Sequence, residues 1–89
     1  MLHIINNTKI LQKCLATTQN QDHILLIEDG VLEILTTDFS QFKNIYFYVL
    51  EVDIIARGLQ DKIPSLVKLI NYEQFVELTI LHSPTMSWH

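Results

Sequence analysis

Residues 24–27 read Ile-Leu-Leu-Ile, four aliphatic side chains with no polar position among them, and Glu28, Asp29 and Gly30 follow at once. A strand on a one-sided sheet alternates apolar and polar residues. An unbroken apolar run belongs to a strand covered on both faces, as in a parallel sheet. Glu28 and Asp29 cannot follow the aliphatic residues into a dry interior without partners. Gly30 permits the tight backbone that a strand-to-helix turn needs. The stretch from His23 to Val31 therefore predicts the central strand of an α/β domain whose carboxyl end opens at an acidic turn.

The rest of the chain repeats this strand-then-helix rhythm. Leu2 to Ile5 is a short apolar strand ended by Asn6-Asn7-Thr8, with Asn7 or Thr8 as the cap of the next helix. Ile10, Leu11, Cys14 and Leu15 recur at helical spacing between Thr8 and Thr17. A short helix is expected from Val31 to Leu35, then a loop from Thr36 to Asn44. Ile45 to Leu50 is aromatic and β-branched, a third strand. A helix from Val52 to Arg57 closes at Gly58, a good C′ residue. Leu66 to Ile70 is a fourth strand. Asn71, with Gln74 three residues on, predicts a capping box for a last helix from Tyr72 to His82 that Pro84 ends. On that helix Phe75, Val76, Thr79 and Ile80 are expected on one side, with Glu73 and Glu77 towards solvent. Four such units predict a single domain over residues 1–89: an α/β fold with a small, open, mainly parallel four-stranded sheet and helices on both faces.

Composition narrows what such a domain does. The chain has 89 residues and is 48% hydrophobic, with a mean hydropathy of +0.21. A domain this small buries only about 60–65% of its unfolded surface. So many apolar side chains for so little interior predict a permanent interface. The net charge of −4, with no basic run, argues against direct nucleic-acid binding. No apolar run approaches the roughly 20 residues of a membrane helix, and Met1 to Asn7 lacks the marks of a signal peptide. The expected compartment is the cytoplasm. One cysteine excludes an internal disulfide framework.

Ligands of open parallel sheets bind beyond the carboxyl ends of the strands. Asn6-Asn7, Glu28-Asp29-Gly30, Glu51 with Asp53, and Asn71-Tyr72 gather there. Such an acidic edge repels phosphate, and no Gly-rich phosphate loop is present. Each residue also stands where a helix or turn needs a cap, which is the reading its position favours. Arg57, at a helix C-terminus, reads as a dipole partner rather than an anion clamp. Cys14 is the one candidate nucleophile, able to carry persulfide sulfur if exposed and acidified. Spacing alone favours a small packing residue beside Leu11 and Leu15. His3, His23, His82 and His89 are scattered without metal-ligand spacing, so no metal and no cofactor is expected. Tyr46 and Tyr48 share one face of their strand and Phe47 takes the other. These tyrosines and Trp88 are interface candidates, with docking of Trp88 on its own domain standing level with an intersubunit role.

Read as an ordered set, several stretches resemble the TusB/DsrH family: Met1-Leu2-His3, Leu25 to Val31, Tyr48 to Asp53 running into Ala56-Arg57-Gly58-Leu59, Ile70-Asn71-Tyr72 with Phe75 to Thr79, and Ser87-Trp88. The stretch from Thr36 to Asn44 carries no family signature. The resemblance implies a DsrEFH-like fold with Rossmann-like layering. It implies a largely non-catalytic subunit of a cytoplasmic sulfur-relay complex, assembled with TusC/DsrF-like and TusD/DsrE-like chains as a dimer of heterotrimers. A TusE/DsrC-like protein would accept the sulfur, for 2-thiolation of the tRNA wobble uridine. The main sulfur-accepting cysteine would lie in the TusD/DsrE-like partner. Some family members carry a cysteine on the first helix, which brings the sulfur-carrier and packing readings of Cys14 level. Two other functions stay open: a DsrH-like subunit of sulfur-compound oxidation with Cys14 carrying sulfur, and a small-ligand-binding module at the acidic strand ends.

Overall fold

The computed structural model describes residues 1–88; His89 lies outside the described residues. The strands are β1 (Leu2–Ile5), β2 (His23–Leu26), β3 (Tyr46–Leu50), β4 (Val67–Ile70) and β5 (Thr85–Trp88). They form one sheet in the order β4-β3-β2-β1-β5, with every pairing parallel. The helices are α1 (Leu11–Leu15), α2 (Glu51–Ala56) and α3 (Tyr72–Leu81), and 3₁₀ segments cover Glu28–Leu35, Phe39–Gln41 and Gln60–Lys62.

The aliphatic run does what its pattern predicts. β2 is the middle strand of the sheet, and Ile24, Leu25 and Leu26 are all at 0% exposure. Ile24 and Leu26 join one apolar cluster with Leu11, Cys14, Val31, Ile54 and Phe47, while Leu25 joins the other with Leu2, Ile70 and Leu78. Burying each such side chain contributes about 1.5–3 kcal/mol.

Strand order explains which element covers which face. β1 to β4 step in one direction across the sheet, so right-handed crossovers put α1, the first 3₁₀ segment and α2 on one face. The chain then returns from β4 at one edge to β5 at the other, and α3, which makes that crossing, covers the opposite face. One face thus has several covers and the other has a single ten-residue helix.

The sheet has five strands, not the four expected. Residues 85–88, for which the sequence predicts no strand, pair in parallel with β1, with Leu2 opposite Thr85 and Ile5 opposite Trp88. An edge strand needs only one neighbour, and Thr-Met-Ser-Trp has the two-residue alternation of a strand without an aliphatic run to announce it. The segment after β2 is 3₁₀ rather than α-helical and starts at Glu28. α1 is shorter than the spacing predicts. Asn7 closes a local turn by accepting from the Lys9 amide at 3.0 Å and caps no helix. Thr17 and Thr18 donate their hydroxyls to the Cys14 and Leu15 carbonyls, each at 3.0 Å, and draw the end of α1 into a turn. The capping box of α3 is present in both directions, Gln74 amide to Asn71 at 2.9 Å and Asn71 amide to Gln74 at 2.8 Å. Gly58, at φ +63, closes α2 with amide bonds from Gly58 to Ile55 and Leu59 to Ile54.

Gly30 serves a different purpose from the one its position suggests. The left-handed residue of the turn is Glu28, at φ +50. A Cβ on Gly30 would lie 2.3 Å from the Ile5 carbonyl oxygen. The glycine is there so that the 3₁₀ segment can press against the end of β1. Gly30→Ala is expected to cost roughly 1–3 kcal/mol, the penalty for forcing backbone apart in a packed interior. Gly58→Ala meets no atom within 4 Å and pays only for its left-handed backbone, about 1–2 kcal/mol. Urea unfolding measures both as midpoint shifts at constant slope; a Gly30→Ala midpoint equal to wild type would contradict this role.

Candidate functional site

Two of the carboxylates at the acidic strand ends, Asp29 and Asp53, share one arginine. Asp53 accepts the Glu28 backbone N–H at 2.8 Å, which holds the left-handed turn in place. Arg57 donates to Asp29 at 2.8 Å and stands 3.6 Å from Asp53. Arg57 therefore ties the carboxyl ends of β2 and β3 together, beyond the dipole role its position suggests. Among the described residues no three His, Cys, Asp or Glu side chains are grouped to hold a metal ion.

Cys14 lies on the inner side of α1 at 0% exposure, within the larger apolar cluster. Burial, followed by the negative charge of Asp22, pushes its thiol up to about 12. A thiol in that range is protonated at neutral pH and is a poor nucleophile.

The only buried imidazole, among the described residues, is His3 at 3% exposure, and it is already committed. Trp88 Nε1 lies 3.2 Å from His3 Nδ1. An indole N–H can only donate, so Nδ1 accepts, and the ring proton on Nε2 goes to Asp22 at 3.0 Å. Neither nitrogen is left to take a proton from Cys14. Asp22 is also bonded to the Gln19 amide and the Met1 ammonium. Burial, the largest influence on its carboxyl, pushes it up, but the Gln19 amide, His3 and the Met1 ammonium together hold it below the usual value. The chain of contacts Asp22–His3–Trp88 pins the last strand to the first and places Trp88, half-buried, against its own domain.

On the face covered by α3, the amino ends of β2 and β3 carry an aromatic stack. His23 lies opposite Tyr46 in register, with ring centroids 4.8 Å apart. His82, just beyond α3, stacks on His23 at 3.6 Å. Tyr48 and His23 Nδ1 are hydrogen-bonded at 2.8 Å. Burial, then the neighbouring His82 and the Met1 ammonium, pull the His23 pKa below its ordinary 6.5, with Asp22 opposing them. Burial, then Tyr46, pushes Tyr48 up. The tyrosines share a face as expected, and Tyr46 is 52% exposed. The His23–Tyr46 pairing was open to a reading of strand starts, since both residues begin neighbouring parallel strands. Nothing in the local sequence around His82 signals its place in the stack.

α3 does not sit as its sequence suggests. Leu78 points inward, with Phe75 partly buried beside it. Val76 and Ile80 are 43% and 72% exposed, and Tyr72 and Leu81 are exposed with them. Glu73 and Glu77 are exposed as expected. Apolar residues lie on more than one side of the helix, so when Leu78 and Phe75 meet the sheet, others face outward. No helix among the described residues is long and apolar enough to cross a membrane.

Comparison with known proteins gives this arrangement relatives. The family described as DsrH-like protein matches residues 6–85. The TusB protein of Yersinia enterocolitica serotype O:8 is 36% identical over 84 residues, covering 88% of this chain and 86% of that protein. The TusB proteins of Yersinia pestis strain Pestoides F and Yersinia pseudotuberculosis serotype O:1b are each 37% identical over 82 residues, with the same coverage.

Two outcomes follow from the burial and charge of these groups. Cys14 in the folded chain is expected to resist iodoacetamide and to react fully once urea unfolds the protein; rapid alkylation under native conditions would contradict its burial. His23 titrates below 6.5 in the folded chain, so the unfolded chain takes up the proton first and stability falls as pH drops through 6.5. His23→Phe is expected to flatten the fall in urea midpoint between about pH 7 and pH 5. An equal fall in both proteins would contradict that assignment.

Proposed function

The chain belongs to the DsrH-like family, and from that premise we propose that it is an accessory subunit of a cytoplasmic sulfur-relay complex serving tRNA wobble-uridine 2-thiolation. Its partners in this reading are TusC/DsrF-like and TusD/DsrE-like chains in a dimer of heterotrimers, with a TusE/DsrC-like acceptor downstream. The thiolation branch is preferred over sulfur-compound oxidation because the relatives at 36–37% identity carry the name TusB.

The observation that carries the reading is the outer side of α3. Tyr72, Val76 and Ile80 recur at four-residue spacing, and Ile80 and Leu81 are more than 70% exposed. A row of that kind on a chain of this size is what a subunit interface leaves behind when its partner is taken away. Tyr46 extends the contact at the amino end of β3. Trp88 belongs to the inner fastening of β5 through His3. In this reading persulfide sulfur rides on a partner's thiol, and Cys14 packs α1 onto the sheet. A ligand site at the acidic strand ends is not favoured, since Arg57 already pairs with Asp29 and Asp53.

Co-expression with the TusC-like and TusD-like chains, followed by native mass spectrometry, tests the assembly. Wild type is expected to join the complex. Ile80→Glu, a substitution at an exposed position that leaves the circular dichroism unchanged, is expected to weaken assembly about 30-fold or more, a hot-spot loss of about 2 kcal/mol. A wild-type chain that ignores both partners, or full incorporation of Ile80→Glu, would contradict the reading. Cys14→Ala should leave sulfur transfer through the reconstituted relay unchanged; loss of transfer in a complex that still assembles would return the thiol to the chemistry.

A further inference from the structure

The loop between β2 and β3, for which sequence reading offered no role, builds a cavity of about 370 Å³. Its walls are Phe39, Phe42, Ile45, Phe47 and Leu66. Phe39 meets Phe47 edge-on at 4.7 Å, so the aromatic wall is fixed rather than loose. The volume is more than twice the ~150 Å³ that suffices to hold benzene in an apolar cavity. It falls in the range of small-molecule sites, which are mostly apolar with a few placed polar groups.

The polar groups at this mouth are of one kind. Lys43 lines the opening and has no ion pair or hydrogen bond among the described residues. Ser40 lines it too, but its amide and hydroxyl are turned onto Asp38 at 3.1 and 2.5 Å. Gln41 completes the set around that carboxylate at 3.5 Å; Asp38 keeps its charge but makes no ion pair with Lys43 among the described residues. A second, shallower recess shares Lys43, Ile45, Phe47 and Leu66 and adds Lys68, also without an ion-pair partner among the described residues. In a chain of net charge −4, the ammonium group at the apolar hollow is that of Lys43; Lys68, in register with Tyr48, belongs to the shallower recess alone.

We propose that this cavity binds a small amphipathic anion, an aryl or short alkyl carboxylate, with its apolar body between Phe39, Phe42 and Phe47 and its carboxylate at Lys43. The apolar part gains from leaving water, and the charge stays at the wet rim beside the lysine, where no protein carboxylate competes. The site lies at the amino end of β3, away from the outer face of α3, and does not depend on the sulfur-relay reading.

The full chain, titrated with octanoate, 4-phenylbutyrate and octan-1-ol and followed by amide and aromatic-ring NMR shifts, tests the proposal. Octanoate and 4-phenylbutyrate are expected to saturate, to move Ser40, Lys43 and the ring signals of Phe39 and Phe42, and to bind more tightly than octan-1-ol. Lys43→Gln, at an exposed position, is expected to weaken octanoate roughly tenfold, about the 1.4 kcal/mol of one charge-assisted contact, and to leave octan-1-ol unchanged. Leu66→Trp, at a rim residue 58% exposed, should block both by filling the mouth while the rest of the spectrum persists. Absence of saturable shifts at millimolar probe would overturn the proposal. So would shifts confined to α3, or octan-1-ol binding as tightly as octanoate. The last result would assign the hollow to a neutral apolar group, such as a side chain of another protein.

Discussion

Burial of β2 from both sides is the constraint on which the remaining architecture depends. Ile24, Leu25 and Leu26 have no exposed surface, and they split between two apolar clusters on opposite faces of the sheet. A strand of that kind needs a cover above and a cover below. The strand order then distributes the covers unequally: successive crossovers stack α1, a 3₁₀ segment and α2 on one side, and only the return to β5 crosses the other. A single helix must seal that second face. α3 does so with Leu78 and part of Phe75, and leaves Val76, Ile80 and Leu81 in water. The exposed oily surface is thus a consequence of how few residues remain to cover a two-sided sheet.

Much of this was legible in the chain because it rests on local chemistry. The two-sided strand, the capping box at Asn71 and the C′ glycine at position 58 each follow from residue types within a few positions. What was not legible depends on contacts between distant segments. The fifth strand exists because β1 offers a free edge, which Thr85 to Trp88 cannot reveal alone. Gly30 looks like a turn residue until the Ile5 carbonyl is seen beside it. The orientation of α3 is not legible because its apolar residues fall on more than one side, and none of those sides is marked by its own sequence as inner. Pairing of His23 with His82 joins residues far apart in the sequence and leaves no trace in spacing.

The polar groups of the site fasten distant segments to one another. Asp22, His3 and Trp88 spend their hydrogen bonds on joining β5 to β1. Arg57 and Asp53 do the same for the turns after β2 and β3. The Cys14 thiol is buried and pushed up to about 12, which keeps it protonated at neutral pH, and the buried imidazole of His3 is engaged at both nitrogens. Family membership supports a sulfur-relay role; in the proposed reading the reactive sulfur is carried by a partner chain.

Hydrogen–deuterium exchange along α3, in the isolated chain and in the complex reconstituted with TusC-like and TusD-like subunits, tests that account most directly. The account predicts that amides from Tyr72 to Leu81 exchange markedly more slowly in the complex, while those of β2, already sealed, do not change. Equal exchange of α3 in both states, with protection appearing only around Cys14 and α1, would contradict it.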